Sequence, residues 1–176
     1  MLLNILIALA VLAAIVLLLA AFRPTDFRVV RSLTIAAPPA ALFALVNDFR
    51  EWRQWSPWEK VDPNMQRAYD GPAAGTGARY SWVGNNQVGQ GNMVITESHP
   101  AELIRIKITF LKPMAGVCDI EFSFKAEDGR TLVTWSMGGC HNFMARVMGL
   151  FMNLDKMTGG YFEQGLADLK RITEKG

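Results

Sequence analysis

Two histidines, two cysteines and one strand-borne glutamate are the residues in this 176-residue chain whose types invite acid–base, thiol or metal chemistry. His99 precedes a proline in a turn and His141 follows Cys140. Either imidazole has the chemistry of a general base. Neither has a partner at a motif spacing, and a lone histidine is more often structural or surface. Glu97 lies in a segment of strand character, where one face of the strand meets the interior and burial would raise its pKa. A rim or solvent position is the commoner fate of a carboxylate. Cys118 and Cys140 flank Asp128-Gly129 almost symmetrically, which puts them opposite or nearly opposite on paired strands. A disulfide, or a metal site with His141, has that much geometric basis, but thiols inside a cell are normally reduced. No CxxC or Cys/His ladder is present, so no metal is expected. Neither G-x-S-x-G, nor a glycine-rich phosphate loop, nor H-E-x-x-H occurs. No cofactor is implied.

The other conspicuous group is Trp52, Trp55 and Trp58, three tryptophans within seven residues. Trp52 and Trp55 share a face on a helical turn, which Ser56-Pro57 ends. Three settings suit the cluster: packing under the short helices, the mouth of a cavity, or a bilayer interface, where tryptophan is favoured.

These residues need elements to hold them. Residues 27–35 (FRVVRSLTI) are rich in β-branched side chains and read as a strand. Ala36-Ala37-Pro38-Pro39 breaks it, and proline suits the first turn of the helix that follows over Pro39–Asn47, with Leu42, Phe43, Leu45 and Val46 as its apolar face. From Met65 to Met137 the period is two. Short strands are expected over 65–69, 76–83, 88–97, 103–110, 118–125 and 132–137, separated by turn residues such as Gly84-Asn85-Asn86 and Asp128-Gly129. Residues 103–110 (LIRIKITF) alternate cleanly, with Ile104, Ile106, Ile108 and Phe110 to one side. Residues 142–174 return to helical spacing, with a stripe through Val147, Phe151, Leu154, Tyr161, Gly165, Leu169 and Ile172. Asp155-Lys156 falls on its solvated side, and Gly159-Gly160 should weaken or bend it. A sheet with one solvated face must be covered on the other, and this helix is the one element long enough to do so. The fold class is therefore α+β, a curved antiparallel sheet around a long C-terminal helix.

Residues 2–22 are apolar all round, with Asn4 as the single polar side chain. At 1.5 Å per residue the run spans about 30 Å, the thickness of a bilayer core. A cleaved signal peptide has a basic leader and a shorter apolar stretch. The run therefore reads as an uncleaved single-pass anchor over 1–22, followed by a linker over 23–26 and a folded domain over 27–176. Arg23, Arg28 and Arg31 follow the run and no basic residue precedes it, so the positive-inside rule puts the domain in the cytoplasm. With 18 basic and 16 acidic residues the net charge is only +2, and no basic cluster with interleaved aromatics suggests nucleic acid.

The element order and four strings resemble the START-like superfamily (SRPBCC, Bet v 1-like) with the helix-grip fold, and within it polyketide cyclase/dehydrase-like and coenzyme-Q-binding-like proteins. The strings are RSLTIAAPPAALFALVNDFREWRQWSPW (31–58), GQGNMVITE (89–97), VTWSM (133–137) and FMARVMGLFMNLDKMTGGYFEQGLADLK (143–170). The superfamily shares no catalytic motif, so none is carried over. The resemblance implies an apolar cavity between sheet and helix, lined here by Trp55, Trp58, Tyr80, Trp82, Met93, Ile108, Phe110, Phe122, Trp135, Phe143, Met148, Phe151 and Met152. Such residues equally suit a solid core, while methionine adapts to variable apolar ligands. The function expected is membrane-anchored binding of a hydrophobic small molecule (lipid-, quinone- or polyketide-like), as carrier or sensor. The alternatives are a cyclase/dehydrase-type enzyme using Glu97, Tyr80 or His141, and an interaction module for an unspecified membrane partner with a filled core.

Overall fold

The structure is a computed structural model that describes residues 2–22, 26–140, 147, 150 and 153–174. Helix α1 (Leu2–Ala21) precedes strand β1 (Asp26–Ile35), helix α2 (Pro39–Asn47), a 3-10 turn (Glu51–Gln54) and the short helix α3 (Pro57–Val61). Six strands follow: β2 (Gln66–Asp70), β3 (Arg79–Val83), β4 (Gln90–His99), β5 (Leu103–Lys112), β6 (Gly116–Glu127) and β7 (Arg130–Cys140). Helix α4 (Leu154–Thr173) closes the order. The strands form one sheet in the order β1-β7-β6-β5-β4-β3-β2, with every adjacent pair antiparallel.

Period-two alternation decides which face is covered. Ile104, Ile106 and Ile108 of β5, Ile120, Phe122 and Phe124 of β6, and Val133 and Trp135 of β7 are all buried on one face. Their neighbours Arg105, Lys107 and Lys125 are exposed on the other. The β6–β7 hairpin turns at Asp128-Gly129, both at positive φ (47° and 77°). That is the conformation an Asp-Gly hairpin provides. Helix α2 forms over the residues the sequence indicates, with Pro39 at its start and Leu42, Phe43 and Val46 buried.

Two expectations are corrected. Helix α4 begins at Leu154, because Asn153 is extended and its side chain accepts from the Lys156 N–H at 2.9 Å as an N-cap. A single helix running unbroken from residue 142 is therefore not what covers the sheet; of that earlier stretch, only Val147 and Leu150 are among the described residues. The buried stripe of α4 also includes Phe162 and Leu166 beside Leu169, while Tyr161 is 37% exposed. The helix continues through Gly159-Gly160. A Cβ on Gly159 would lie 2.0 Å from Arg31 Nη2, so the glycine leaves room for a guanidinium. Arg31 there donates to Glu163 Oε1 at 2.7 Å and to Asp155 Oδ2 at 3.1 Å, tying α4 to β1.

Helix α1 is the one described helix long and apolar enough to cross a membrane.

Candidate ligand-binding cavity

The cavity between the sheet and α4 follows from three local features. Trp52 and Trp55 tuck under α2, where their indole N–H groups donate to Val46 O at 2.9 Å and Leu45 O at 3.0 Å. Both carbonyls sit in the last turn of α2, which intrahelical bonds leave unsatisfied. Pro57 then starts α3 at a position where its missing N–H costs nothing. Helix α3 in turn carries Trp58 and Glu59 toward the space under α4. A second tie holds α3 there: Lys60 pairs with the buried Asp168 of α4. Finally, glycines let rings approach backbone. A Cβ on Gly165 would lie 2.8 Å from the Trp135 ring, and one on Gly91 would lie 2.5 Å from the Trp82 ring.

What remains between these parts is a cavity of about 290 Å³. That is near the lower end of the 300–1,000 Å³ common for small-molecule sites. Its sheet wall is Tyr80, Trp82, Met93, Ile108, Phe110, Ile120, Trp135 and Met137. Helix α4 supplies Met157, Thr158, Tyr161 and Phe162. Trp52, Ser56, Trp58, Glu59 and Met65 form one side, and Gln87 and Val88 of the β3–β4 loop the other. The aromatic wall is continuous. Trp135 stacks on Phe162 with centroids 4.1 Å apart, Trp58 stacks on Tyr161 at 5.5 Å, and Tyr80 stacks on Trp82 at 5.8 Å.

Of the residues expected to line a cavity, Trp58, Tyr80, Trp82, Met93, Ile108, Phe110 and Trp135 do so. Trp55 and Phe122 do not. Both are completely buried and pack edge-on to each other at 6.0 Å, in the core that backs the cavity. Phe143, Met148, Phe151 and Met152 lie outside the described residues, as does His141. The lining residues missed in the sequence come from α4 (Met157, Thr158, Tyr161, Phe162), from residues 52–65 (Trp52, Ser56, Glu59, Met65), from the β3–β4 loop (Gln87, Val88) and from the sheet (Ile120, Met137). Pro57 read as an N1 proline would have revealed α3 and, with it, Glu59.

Glu59 is the one charged residue on the described wall. Its side chain is 10% exposed and paired with Arg67 of β2, itself 14% exposed. Arg67 Nε reaches both carboxylate oxygens, at 2.9 and 3.2 Å, and Nη2 also donates to Glu59. The Tyr80 hydroxyl donates to Glu59 Oε1 at 3.4 Å. Burial and the adjacent carboxylate push the Tyr80 phenol above its usual range, so it keeps its proton.

The chemistry suggested by isolated residues falls elsewhere. Glu97 is on the outer face of the sheet, where it accepts from Arg105 Nη1 at 2.6 Å and pairs with the His99 ring at 2.6 Å. Those hydrogen bonds, His99 first, hold its carboxyl below the ordinary range. It does not meet Tyr80, and the small effect of burial is outweighed by these hydrogen bonds. Cys118 is a buried free thiol, raised to about 11 by burial and by Asp119, so it stays protonated and unreactive. Its register partner is Gly139, so Cys140 is nearly opposite, one residue further along β7.

The register also fixes which end of the sheet holds the cavity. Asp26 at the start of β1 lies beside Cys140, at the end of β7. Gly139 faces Cys118, Gly116 faces Phe110, Lys112 faces Gln90, and Gln90 faces Val83. The β3–β4 loop and the β5 end that carry Val88 and Phe110 are therefore at the edge of the sheet where the chain arrives from α1. Exposed apolar side chains gather at the same end: Val83, Leu111 and Val117, each between 47 and 51% exposed.

A seven-stranded antiparallel sheet wrapped on a C-terminal helix, with the cavity between them, defines a protein of the helix-grip class. The sequence matches the family described as polyketide cyclase / dehydrase and lipid transport over residues 26–174, and the chain belongs to that family. No curated protein sequence matches it. Solved structures agree on the fold. The Aha1 dimer from Colwellia psychrerythraea aligns over 84% of this chain and 96% of its own, with 15% identity and a TM-score of 0.59. Ara h 8.0201 aligns over 86% and 99%, with 14% identity and a TM-score of 0.57. CalU16 from Micromonospora echinospora aligns over 82% and 73%, with 13% identity and a TM-score of 0.55.

Proposed function

We propose that this protein binds a compact hydrophobic molecule in the cavity under α4, as a carrier or sensor held at a membrane by residues 1–22, with the domain over 27–176 in the cytoplasm. The observation that carries the reading is the cavity: about 290 Å³, walled by aromatic, methionine and aliphatic side chains. Membership in a family described by lipid transport and polyketide chemistry supports it. The placement of the cavity at the sheet end where β1 begins supports the tether. From Phe22 to Asp26 is four residue steps, about 14 Å at full extension. A domain so tied keeps its pocket beside the phase that dissolves apolar molecules, which raises their effective concentration.

A catalytic reading that pairs Glu97 with Tyr80 is not supported, because the two are on opposite faces of the sheet, and His141 lies outside the described residues. An interaction module with a filled core is disfavoured by the void itself.

The test is calorimetric titration of the full chain in lipid nanodiscs with a small aromatic hydrocarbon, using empty nanodiscs as the reference. Saturable binding at one site, accompanied by a change in tryptophan emission, is expected because Trp52, Trp58, Trp82 and Trp135 all border the cavity. No saturable heat and unchanged emission would overturn the reading. Membrane side is tested separately, by labelling a cysteine introduced at the exposed position Lys107 in sealed cells; labelling only after lysis is expected.

A further inference from the structure

The cavity wall carries a selectivity its apolar character alone does not have. We propose that its ligand is a neutral, apolar molecule with a hydroxyl or similar hydrogen-bond donor at one end, seated against Glu59 beside Tyr80; this rests on the reading of the cavity as a binding site.

Three observations lead to it. First, Glu59 is paired with Arg67 yet still offers capacity. A carboxylate has about four acceptor positions. Arg67 holds Oε2 closely through both Nε and Nη2, whereas Oε1 has only the longer contacts, 3.2 Å to Arg67 Nε and 3.4 Å to the Tyr80 hydroxyl. A donor entering from the cavity finds that oxygen weakly engaged. Second, the guanidinium is off the cavity wall and largely committed. Arg67 Nη1 donates to Met65 O at 2.6 Å, and Nη2 to Pro63 O as well as to Glu59. Third, no lysine or arginine lines the described wall, and the other polar residues there, Ser56, Gln87 and Thr158, are neutral. An anionic head would bring a second negative charge beside Glu59 in a poorly hydrated space where no described residue offers a free cation, which is costly. A hydrocarbon is tolerated but leaves Oε1 half-used. The order of preference is therefore alcohol or phenol, then hydrocarbon, then carboxylate.

The experiment titrates the full chain in nanodiscs with three probes of one size: 2-naphthol, 2-methylnaphthalene and 2-naphthoate, each corrected for its partition into empty nanodiscs. A hydrogen bond to a charged group corresponds to about tenfold or more in affinity. Wild type is expected to bind 2-naphthol at least about tenfold tighter than 2-methylnaphthalene, and 2-naphthoate weakest. In Glu59→Gln, the advantage of the naphthol is expected to shrink to a few-fold and the penalty on the naphthoate to fall. Equal affinity for naphthol and methylnaphthalene in wild type, or naphthoate binding as well as naphthol, overturns the proposal while leaving an apolar site standing. Binding of none of the three overturns the site itself and the proposal with it. If Glu59→Gln fails to fold, the wild-type series alone decides.

Discussion

Single atoms decide whether there is a cavity at all. Gly91 lies where the Trp82 ring crosses β4; an added Cβ would be 2.5 Å from the ring and 2.6 Å from Thr109 O. The carbonyl is part of the sheet and has no freedom to retreat, so the ring must. Gly91→Ala is expected to lower stability by about 1–3 kcal/mol, the usual range for overpacking, and to push the indole into the cavity. Urea unfolding followed by tryptophan emission measures the first effect, and weaker binding of an aromatic probe measures the second. An alanine that leaves both unchanged would mean the ring does not rest on that glycine. Glu59 shows the same dependence on neighbours: a carboxylate on a five-residue helix becomes a buried recognition group only because Arg67, eight residues on in β2, meets it. Nothing in the spacing of the sequence distinguishes it from Glu97, which is half-buried on the outer face. Period-two reading put Glu97 on a strand but left its face open, and the structure turns it outward to Arg105 and His99.

At the scale of elements, what was legible was whatever repeats with a period. The seven strands follow alternation, α2 follows its proline and apolar face, and the Asp128-Gly129 turn follows its glycine. Less legible were features that arise from one element meeting another. The Asn153 cap ends any run of the helix toward residue 142 although the apolar stripe continues through it. Trp55 and Phe122 read as wall residues by type, yet α2 and the 3-10 turn lie over them and make them core. Helix α4 supplies two tests of such contacts. Gly160 has nothing within 4 Å of an added Cβ, unlike Gly159 beneath Arg31. Gly160→Ala is therefore expected to stabilise by up to about 1 kcal/mol through helix propensity, read as a higher urea midpoint; Gly159→Ala should gain less, because Arg31 must leave Asp155 and Glu163. The second test concerns Asp168. Burial alone would raise its pKa, but hydrogen bonds from Lys60, Gln164 and Arg171 bring it below the ordinary carboxyl range. A carboxyl depressed in the folded state contributes stability that is complete above its unfolded pKa of about 3.9 and is lost as pH falls through the folded value. Asp168→Asn should accordingly be less stable than wild type at neutral pH and lose less on acidification below about pH 4. Parallel acid limbs for the two proteins would show that the α3–α4 tie contributes nothing.

For the whole molecule, the question is why a helix-grip domain should be tied to an apolar helix by so few residues. A domain that only needed to be near a membrane would work on a long linker. Here β1 begins four residues after Phe22, and β1 starts at the sheet end where the β3–β4 loop and the end of β5 border the cavity. Val83, Leu111 and Val117 are exposed at that same end. On the membrane-bound reading proposed above, short tether, cavity position and exposed apolar edge would all favour passage of ligand between bilayer and cavity without a journey through water. Desorption of an apolar molecule into water carries the full cost of exposing its surface, roughly 25 cal/mol per Å², and direct passage avoids that step. Lengthening the tether separates these ideas. Insertion of about twenty glycine–serine residues after Pro24 would let the domain explore some 25 Å, since such a chain spreads as about 5–6 Å times the square root of its length. Affinity for a water-soluble aromatic probe is expected to stay the same, because the cavity is untouched. Uptake of a bilayer-dissolved fluorescent hydrocarbon from vesicles carrying the full chain is expected to slow several-fold, measured as the rise of energy transfer from the cavity tryptophans. Equal uptake rates with the short and long tethers would mean that ligand reaches the cavity through solution and that the anchor serves only to localise the protein.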